Sequence, residues 1–200
     1  MSRQPDSTTA VSDSDREPHE FSQEERGLLL AVARQAILAQ FDQRELDLAA
    51  PTAHLAERRG AFTSLHIGHE LRGCVGYVFP THSLYRTVAE TAVAAAFHDT
   101  RFPPLQPEEA EGLEIQISVL SPLQPLEAED VEVGRHGLVV TFGSRRGLLL
   151  PQVPIEHHWD RLTFLAQTCI KAGLPPDAWQ RGATLEAFTA EIFGTPDIPT

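Results

Sequence analysis

The sequence predicts an α+β protein built from two related hairpin-plus-helix units that share a mainly antiparallel sheet. Paired strand patterns, each pair joined by a short glycine-containing turn, are followed by a helical apolar pattern. This order occurs over residues 61–97 and again over residues 137–172, which indicates a weak internal duplication. A length of 200 residues and a hydrophobic content of 42% suffice for one domain with its own core.

The N-terminal residues predict a tail followed by a helix. Residues 1–20 are rich in Ser, Thr, Asp and Pro and nearly free of bulky apolar side chains, which is typical of disorder, so we assign the domain to residues 21–200. Ser22 and Glu25 have the spacing of a capping box. The helix that they open carries apolar side chains at helical spacing: Leu29, Val32, Ala33, Ala36, Ile37 and Phe41.

The first unit follows a short helical piece expected near residues 51–57. A strand pattern over residues 61–67 turns at Gly68 into a second strand. An alanine-rich helix is predicted over residues 83–97, and its small side chains allow it to lie close to the sheet.

The second unit repeats this arrangement. Its elements, in order, are a strand over residues 113–120, strands over 137–142 and 148–153 about a turn at 143–147, and a helix over 160–172. Gly173 ends that helix. Residues 183–193 then supply a final strand that closes the sheet, although the spacing of Phe188 and Ile192 allows a helix as the alternative.

Charge restricts the classes of partner. The net charge is −12, and residues 1–20 hold five acids and two arginines, which leaves −9 on the domain. An acidic domain repels a phosphate backbone, so nucleic-acid binding is disfavoured. Arg145 and Arg146 are the best local candidates for it, and we interpret them as a solvated hairpin tip.

Cysteine and histidine usage restrict compartment and cofactors. Cys74 and Cys169 are the only cysteines, so no disulfide framework exists. The N-terminus lacks a signal-peptide core and no apolar run has membrane-spanning length, so we expect a cytoplasmic protein without a membrane segment. The nine histidines lack finger-like or HExxH spacing, and no glycine-rich phosphate loop is present, so neither a metal site nor a cofactor is expected.

The hexapeptide LRGCVG at residues 71–76 is the main candidate site. Strand interiors normally exclude glycine, so Gly73 and Gly76 indicate a β-bulge or an element that approaches the backbone closely. Side chains alternate along a strand, which places Arg72 and Cys74 on one face. The opposite face is apolar and carries Leu71, Val75, Tyr77 and Phe79. A cation beside a thiol favours the thiolate, which makes Cys74 a candidate nucleophile or redox group.

The same residues have a structural interpretation. Lone cysteines are usually small packing residues, which is the interpretation we favour for Cys169 on the apolar stripe of its helix. The planar fork of Arg72 suits a structural Asp or Glu as well as the carboxylate or phosphate of a ligand.

A second cluster, HDTRFPPL, occupies residues 98–105 directly after the alanine-rich helix. Its two prolines fix the backbone, so the loop is rigid. Asp99 and Arg101 on a rigid loop can serve a site. The structural alternative is that Asp99 caps a turn and Arg101 pairs locally.

Six segments together carry a family resemblance: FTSLHIGHELRGCVGYV, AAAFHDTRFPPL, ISVLSPLQPL, GRHGLVVTFGSRRGLLLPQV, WDRLTFLAQTCIKAGLPPDAW and FTAEIF. In this order, over about residues 22–195, they closely resemble the AMMECR family, whose bacterial members are called AmmeMemoRadiSam system protein A. The LRGCVG strand, the D-x-R-F-x-P-L loop and the GLLLPQV strand are the most specific of them.

The resemblance implies a compact α+β domain in which two β-rich units share a curved antiparallel sheet. It also implies two partners, a Memo-like protein, similar in fold to non-haem extradiol dioxygenases, and a radical S-adenosylmethionine enzyme. By matching position, it assigns the candidate site to Arg72, Gly73, Cys74, Gly76, Asp99, Arg101 and Phe102.

Two positions depart from the family pattern. Thr100 stands where the loop often has a proline, and it keeps an extended backbone available. Gln116 stands where relatives carry a glutamate, so an acid/base role for that carboxylate is absent unless Glu114 or a residue of another strand substitutes.

Three functions are consistent with these residues. The first is a small-molecule enzyme or enzyme subunit in which Cys74 is nucleophile or proton donor and Asp99 orients it. Its small anionic ligand would be held by Arg72, Gly73, Gly76, Arg101 and Phe102. The second is a non-catalytic partner module with the hexapeptide as its binding surface. The third, RNA or nucleotide binding, is disfavoured by the negative charge.

Overall fold

The computed structural model describes residues 19–79 and 81–195. Within these ranges the helices are α1 (Gln23–Asp42), α2 (Leu84–Phe97), α3 (Gln152–Glu156) and α4 (Arg161–Lys171). The strands are β1 (Ala61–Ile67), β2 (Glu70–Tyr77), β3 (Leu113–Leu120), β4 (Gln124–Pro125), β5 (Gly137–Phe142), β6 (Arg145–Leu149), β7 (Thr184–Phe188) and β8 (Ala190–Gly194). Short 3-10 helices lie at Pro107–Glu109, Ala128–Asp130 and Ala178–Gln180.

The strands form two antiparallel sheets, the first in the order β2-β1-β3-β8 and the second in the order β4-β7-β5-β6. The predicted α+β class is confirmed. The expectation of one shared sheet is wrong, because β7 and β8 are separated only by Thr189 and belong to different sheets. A continuous apolar pattern over residues 183–193 predicted strand rather than helix correctly, but it cannot show where a chain changes sheets.

Helices α1 and α2 cover one face of the first sheet. The predicted capping box opens α1, with Ser22 Oγ accepting a hydrogen bond from the Glu25 N–H and Glu25 accepting one from the Ser22 N–H. Helix α2 lies on β1 through its small side chains, and the hydroxyls of Thr63 and Thr91 form a buried 2.8 Å hydrogen bond there. The opposite face of this sheet, around Ser64, is only half-buried and mostly polar.

An apolar cluster joins the two sheets. It is built on Leu120, Val139 and Phe188, all of them buried. Because these side chains come from strands of both sheets, burying them holds the two halves together.

The described part of the N-terminal segment contacts the domain from Glu20 onward. Of the tail predicted over residues 1–20, all but the last two residues lie outside the described part of the chain. Glu20 accepts hydrogen bonds from both terminal nitrogens of the buried Arg59, at 2.6 and 2.9 Å. Phe21 is 1% exposed, and its ring stacks on His54.

The topology supports an internal duplication. In each sheet a hairpin, β1–β2 or β5–β6, pairs through its first strand with one distant strand, β3 or β7. The second strand of each hairpin carries a glycine against the C-terminal end of a helix, α2 for β2 and α4 for β6. A Cβ at Gly73 would overlap the Ala95 carbonyl oxygen, and a Cβ at Gly147 would overlap the Ala172 backbone nitrogen.

The second hairpin differs from expectation in its turn and its exit. The turn is the two residues between β5 and β6, with Gly143 at φ +61°, so Arg145 and Arg146 begin a strand. The predicted strand over 148–153 ends at Leu149 and gives way to α3, because Pro151 has no N–H to donate to a ladder. Sequence reasoning assigned Gly147 to the turn, whereas its absent side chain makes room for Ala172.

Residues 51–57 form a series of turns rather than the short helix expected. Among the residues described, none of the helices has both the length and the apolar character that crossing a bilayer requires.

Candidate functional site

The candidate site lies at the free edge of β2, where the loop that follows α2 returns along the strand. The Cys74 N–H donates to Asp99 Oδ2 at 2.9 Å, and Arg101 Nη2 donates to the Cys74 carbonyl oxygen at 3.1 Å. Two side chains therefore satisfy backbone groups that an adjacent strand would otherwise satisfy. The structure thus brings the two sequence motifs together.

Asp99 and Arg101 form a bidentate pair. Arg101 Nε donates to Asp99 Oδ1 at 2.9 Å, and its Nη2 donates to Oδ2 at 2.7 Å. The Asp99 side chain is 6% exposed and that of Arg101 is 57% exposed. The hydrogen bonds from Arg101 hold the pKa of Asp99 well below its usual range against the opposing effect of burial. Asp99 in turn raises the pKa of Arg101, with a smaller contribution from Cys74.

Arg72 fastens β2 to the segment that leads into β3. It grips the Glu109 carboxylate through Nε at 2.8 Å and Nη2 at 3.0 Å. Its Nη1 also donates to the Pro103 carbonyl oxygen at 2.8 Å. The Arg72 hydrogen bonds lower the pKa of Glu109, and the Gln106 N–H contributes as well. The sequence left open whether Arg72 binds a structural carboxylate or a ligand; in this structure it binds the structural carboxylate of Glu109.

The first glycine of the hexapeptide accompanies a β-bulge, as predicted. Leu65 pairs with Gly73 and His66 pairs with Leu71, which leaves Arg72 as the extra residue. The bulge interrupts side-chain alternation, so Leu71 lies on the face of Cys74 and not with Val75 as expected. The guanidinium next to Cys74 is accordingly that of Arg101, and the guanidinium of Arg72 binds Glu109.

The second glycine accommodates an aromatic ring. A Cβ on Gly76 would overlap the ring of Phe62, its cross-strand partner on β1. Phe102 in the loop contacts Arg101, whose guanidinium lies 5.4 Å from the centre of the Phe102 ring. Both predicted close approaches in the hexapeptide are therefore present, and both are made by elements of the protein itself.

Cys74 is half-buried on the polar face of the first sheet, opposite the helices. The hydroxyl of Ser64, its cross-strand partner, donates to Cys74 Sγ at 3.2 Å. On the other side of Ser64 lies Gln116 of β3. Cys169 contrasts with it: this thiol is fully buried, and burial raises its pKa.

Two buried polar atoms on this face have no hydrogen-bond partner. They are Nδ1 of His66 and Oε2 of Glu114, which belong to directly paired residues of β1 and β3. His69 Nδ1, from the adjoining turn, lies 3.5 Å from Glu114 Oε2. Within the described residues, no three histidine, cysteine or acidic side chains are arranged to hold a metal ion.

A cavity of about 830 Å³ lies elsewhere, between the end of α1, residues 44–49 and α2. Tyr77 and His98 line it, directly beyond the two motifs. Arg72, Cys74 and Asp99 do not. These three motif residues are therefore not part of this cavity.

Sequence reasoning missed the partners that define this site. Glu109 lies 37 residues from Arg72, and no spacing in the sequence indicates the pair. Ser64 and His66 could have been placed on the Cys74 face by strand alternation once the hairpin was predicted, but the bulge after residue 65 was needed to fix their register.

The lowered pKa values of Asp99 and Glu109 should make the stability of the protein depend on pH in acid. Free Asp and Glu titrate near pH 4, whereas Asp99 and Glu109 release their protons at lower pH when folded. Below about pH 5 the unfolded chain therefore binds more protons, and the free energy of unfolding falls as the pH falls. Urea unfolding between pH 7 and pH 2 should show this decrease, and Glu109→Gln should make it shallower.

The exposed neighbour Glu108 provides the control for that measurement. Glu108→Gln should leave the pH slope as in the wild type. Equal slopes for the wild type and Glu109→Gln would contradict the effect of Arg72 on the Glu109 carboxyl.

The fold and the site define an α+β protein of two hairpin-plus-helix units, with its distinctive hexapeptide on an edge strand. Residues 30–193 match the AMMECR1 family, and the chain belongs to that family. It is 42% identical over 182 residues to a protein of Methanopyrus kandleri, a match covering 85% of this chain and 88% of the relative. It is 46% identical over 151 residues to a protein of Thermococcus gammatolerans, covering 70% and 74%.

A solved structure confirms the fold. The crystal structure of an uncharacterized protein from Pyrococcus horikoshii superposes with a TM-score of 0.69 at 38% identity. The match covers 84% of this chain and 90% of that one.

Proposed function

We propose that this AMMECR1-family protein is a small-molecule enzyme or enzyme subunit whose reacting group is the Cys74 thiol. The observation that carries the proposal is how the residue is held: its sulfur accepts a hydrogen bond from Ser64, and Asp99 and Arg101 fix its backbone on both sides. A half-buried thiol fixed in this way can act as nucleophile or proton donor toward a ligand on the sheet face. We further propose that it acts in the cytoplasm with a Memo-like protein and a radical S-adenosylmethionine protein.

In this proposal the two arginines position the strand. An anionic ligand at Arg72 would displace Glu109, and one that bound Arg101 through Nε and Nη2 would displace Asp99, each held by two hydrogen bonds. Each exchange would break a charge-assisted bidentate pair, among the stronger protein hydrogen bonds. Asp99 then has the orienting role expected from the sequence, exerted through the Cys74 N–H.

Alkylation of the native protein tests the proposal. With iodoacetamide at neutral pH, Cys74 should react at least roughly tenfold faster than the buried Cys169, because reaction requires access to the thiol. Peptide mass spectrometry locates the label, and Cys169 should react only after unfolding. The low-molecular-mass fraction of a cell extract, with its own thiols removed, should slow labelling of Cys74. A Cys74 that reacts as slowly as Cys169 in the folded protein would overturn the proposal.

A non-catalytic partner module is the second candidate. It is favoured by the exposure of Leu71, 41%, on the face that carries Cys74. In that case a complex with either proposed partner would survive Cys74→Ala and be lost on Leu71→Glu. Ile170, 50% exposed on α4 in the other unit, is the matched position for a control substitution to Glu.

A further inference from the structure

We propose that the polar face of the first sheet binds a ligand carrying an amine, with its ammonium group at Glu114 and His66 and its other end at Cys74. The inference rests on the proposed role of Cys74 and names the class of ligand. The ligand proposed is a cation held by a carboxylate, whereas the sequence suggested an anion held by the arginines.

The pairing register places the three residues on one surface. On β1, Ser64 and His66 are two positions apart and therefore point to the same face. Cys74 pairs with Ser64 across β2, and Glu114 pairs with His66 across β3. Glu114 and Cys74 thus occupy opposite corners of this surface, with Ser64 and His66 between them.

The chemistry of the Glu114 corner calls for a hydrogen-bond donor. A carboxylate only accepts hydrogen bonds, and Glu114 Oε2 is buried without one. An unsatisfied buried polar atom is destabilising, and a bound N–H group would satisfy it. Nδ1 of His66, the other unpartnered buried atom, can accept from the same group in the neutral imidazole.

Charge selects a cationic donor. Arg72 is paired with Glu109 and Arg101 with Asp99, so these four charges largely cancel. Among the described residues, no arginine or lysine pairs with Glu114. Its ion-pair partner is His69, whose Nδ1 lies 3.5 Å from Oε2 and whose side chain is 67% exposed, so this contact is weak and is charged only when the imidazole is protonated. A charge-assisted hydrogen bond from an ammonium is stronger than one from a neutral amide, so an amine is the favoured ligand.

Sheet geometry limits the length of the ligand. Two strand spacings and two residues along a strand separate the Glu114 and Cys74 backbones by roughly 12 Å. A glutamate side chain is long enough to lean along the sheet toward Cys74, so a ligand of about 8 to 10 Å, the length of an extended six-carbon chain with its end groups, can join the two groups.

Cationic thiol reagents of different reach test the proposal on the intact protein. Alkyl methanethiosulfonates react with a cysteine thiolate to form a mixed disulfide, and methanesulfinate leaves. The 6-aminohexyl reagent spans the distance to Glu114, whereas the 2-aminoethyl reagent carries the same charge without the reach. Their ratio of rates at Cys74 removes the general attraction of an acidic protein for cations.

We expect the ratio of aminohexyl to aminoethyl rates to fall about fivefold in Glu114→Gln, the upper range for one lost solvent-accessible ion pair. His66→Ala should lower it less. Glu70→Gln, an exposed acid at the start of β2, is the matched control and should leave the ratio unchanged. Thermal melting verifies that each variant is folded.

Each other outcome has a definite meaning. An unchanged ratio in Glu114→Gln, with Cys74 still labelled, overturns the amine site and leaves the reactive thiol standing. Faster labelling by the anionic 2-sulfonatoethyl reagent than by either cation also overturns it, in favour of an anionic ligand. If no reagent labels Cys74, the thiol proposal fails, and an NMR titration with hexylammonium decides the amine site alone. Shifts at His66 that Glu114→Gln abolishes support it; their absence overturns it.

Discussion

Gly73→Ala is expected to destabilise the protein by about 3 kcal/mol or more, the upper range for overpacking a core. The added methyl would overlap the Ala95 carbonyl oxygen, which belongs to the backbone of α2 and cannot rotate away. Either the helix moves off the sheet or the strand bends. Urea unfolding measures the loss, and Gly147→Ala should behave alike because its methyl would meet the backbone of Ala172.

The control for this prediction is a glycine with free space around it. Gly27 lies in α1 with no heavy atom within 4 Å of an added Cβ. Gly27→Ala should therefore stabilise the protein by up to about 1 kcal/mol through helix propensity. A Gly73→Ala protein as stable as the wild type would contradict the close seating of α2 on β2.

Arg72→Ala should cost about 2 to 3 kcal/mol. The Arg72 side chain is 14% exposed; its loss removes the donor to the Pro103 carbonyl and leaves the Glu109 carboxylate with the Gln106 N–H alone. A double-mutant cycle with Glu109→Ala should give a coupling energy above about 1 kcal/mol. Arg72→Lys should recover only part of it, because an ammonium cannot grip both carboxylate oxygens in one plane.

The pair Arg86–Glu90 on the surface of α2 is the reference for that cycle. Arg86 Nε lies 2.8 Å from Glu90 Oε1, four residues further along the helix, and the arginine side chain is 48% exposed. Exposed helical pairs of this kind contribute about 0.3 to 0.5 kcal/mol to stability. Equal coupling in the two cycles would contradict a structural role for Arg72.

The structural role of Arg72 also affects how mutations in the hexapeptide are interpreted. Loss of function in Arg72→Ala does not by itself indicate ligand binding, because the substitution releases the loop from the strand. If Glu109→Ala causes the same loss, the effect comes from positioning. A loss confined to Arg72→Ala would instead indicate a direct contact with a ligand.

The local elements were predictable because their signals are local. The cap at Ser22, the alanine face of α2 and the apolar stripe of α4 each lie within one helix. Glycine in the hexapeptide indicated the bulge and the close approaches because a strand interior tolerates a missing side chain mainly where the backbone kinks or another group fills the space. The hexapeptide and the proline-containing loop lie at ends of one hairpin-plus-helix unit, which allowed them to meet without requiring it; the structure shows the contact.

The sequence by itself determined the α+β class, the order of the two hairpins and their main helices, and the strand that carries the site. Tertiary structure alone decided that Arg72 binds Glu109, that Arg101 is the guanidinium beside Cys74, and that β7 and β8 belong to different sheets. The physical reason is one of range. Backbone propensity and side-chain periodicity act over a few residues, whereas the partner of a charged side chain and the sheet that a strand joins depend on which distant segments pack beside it.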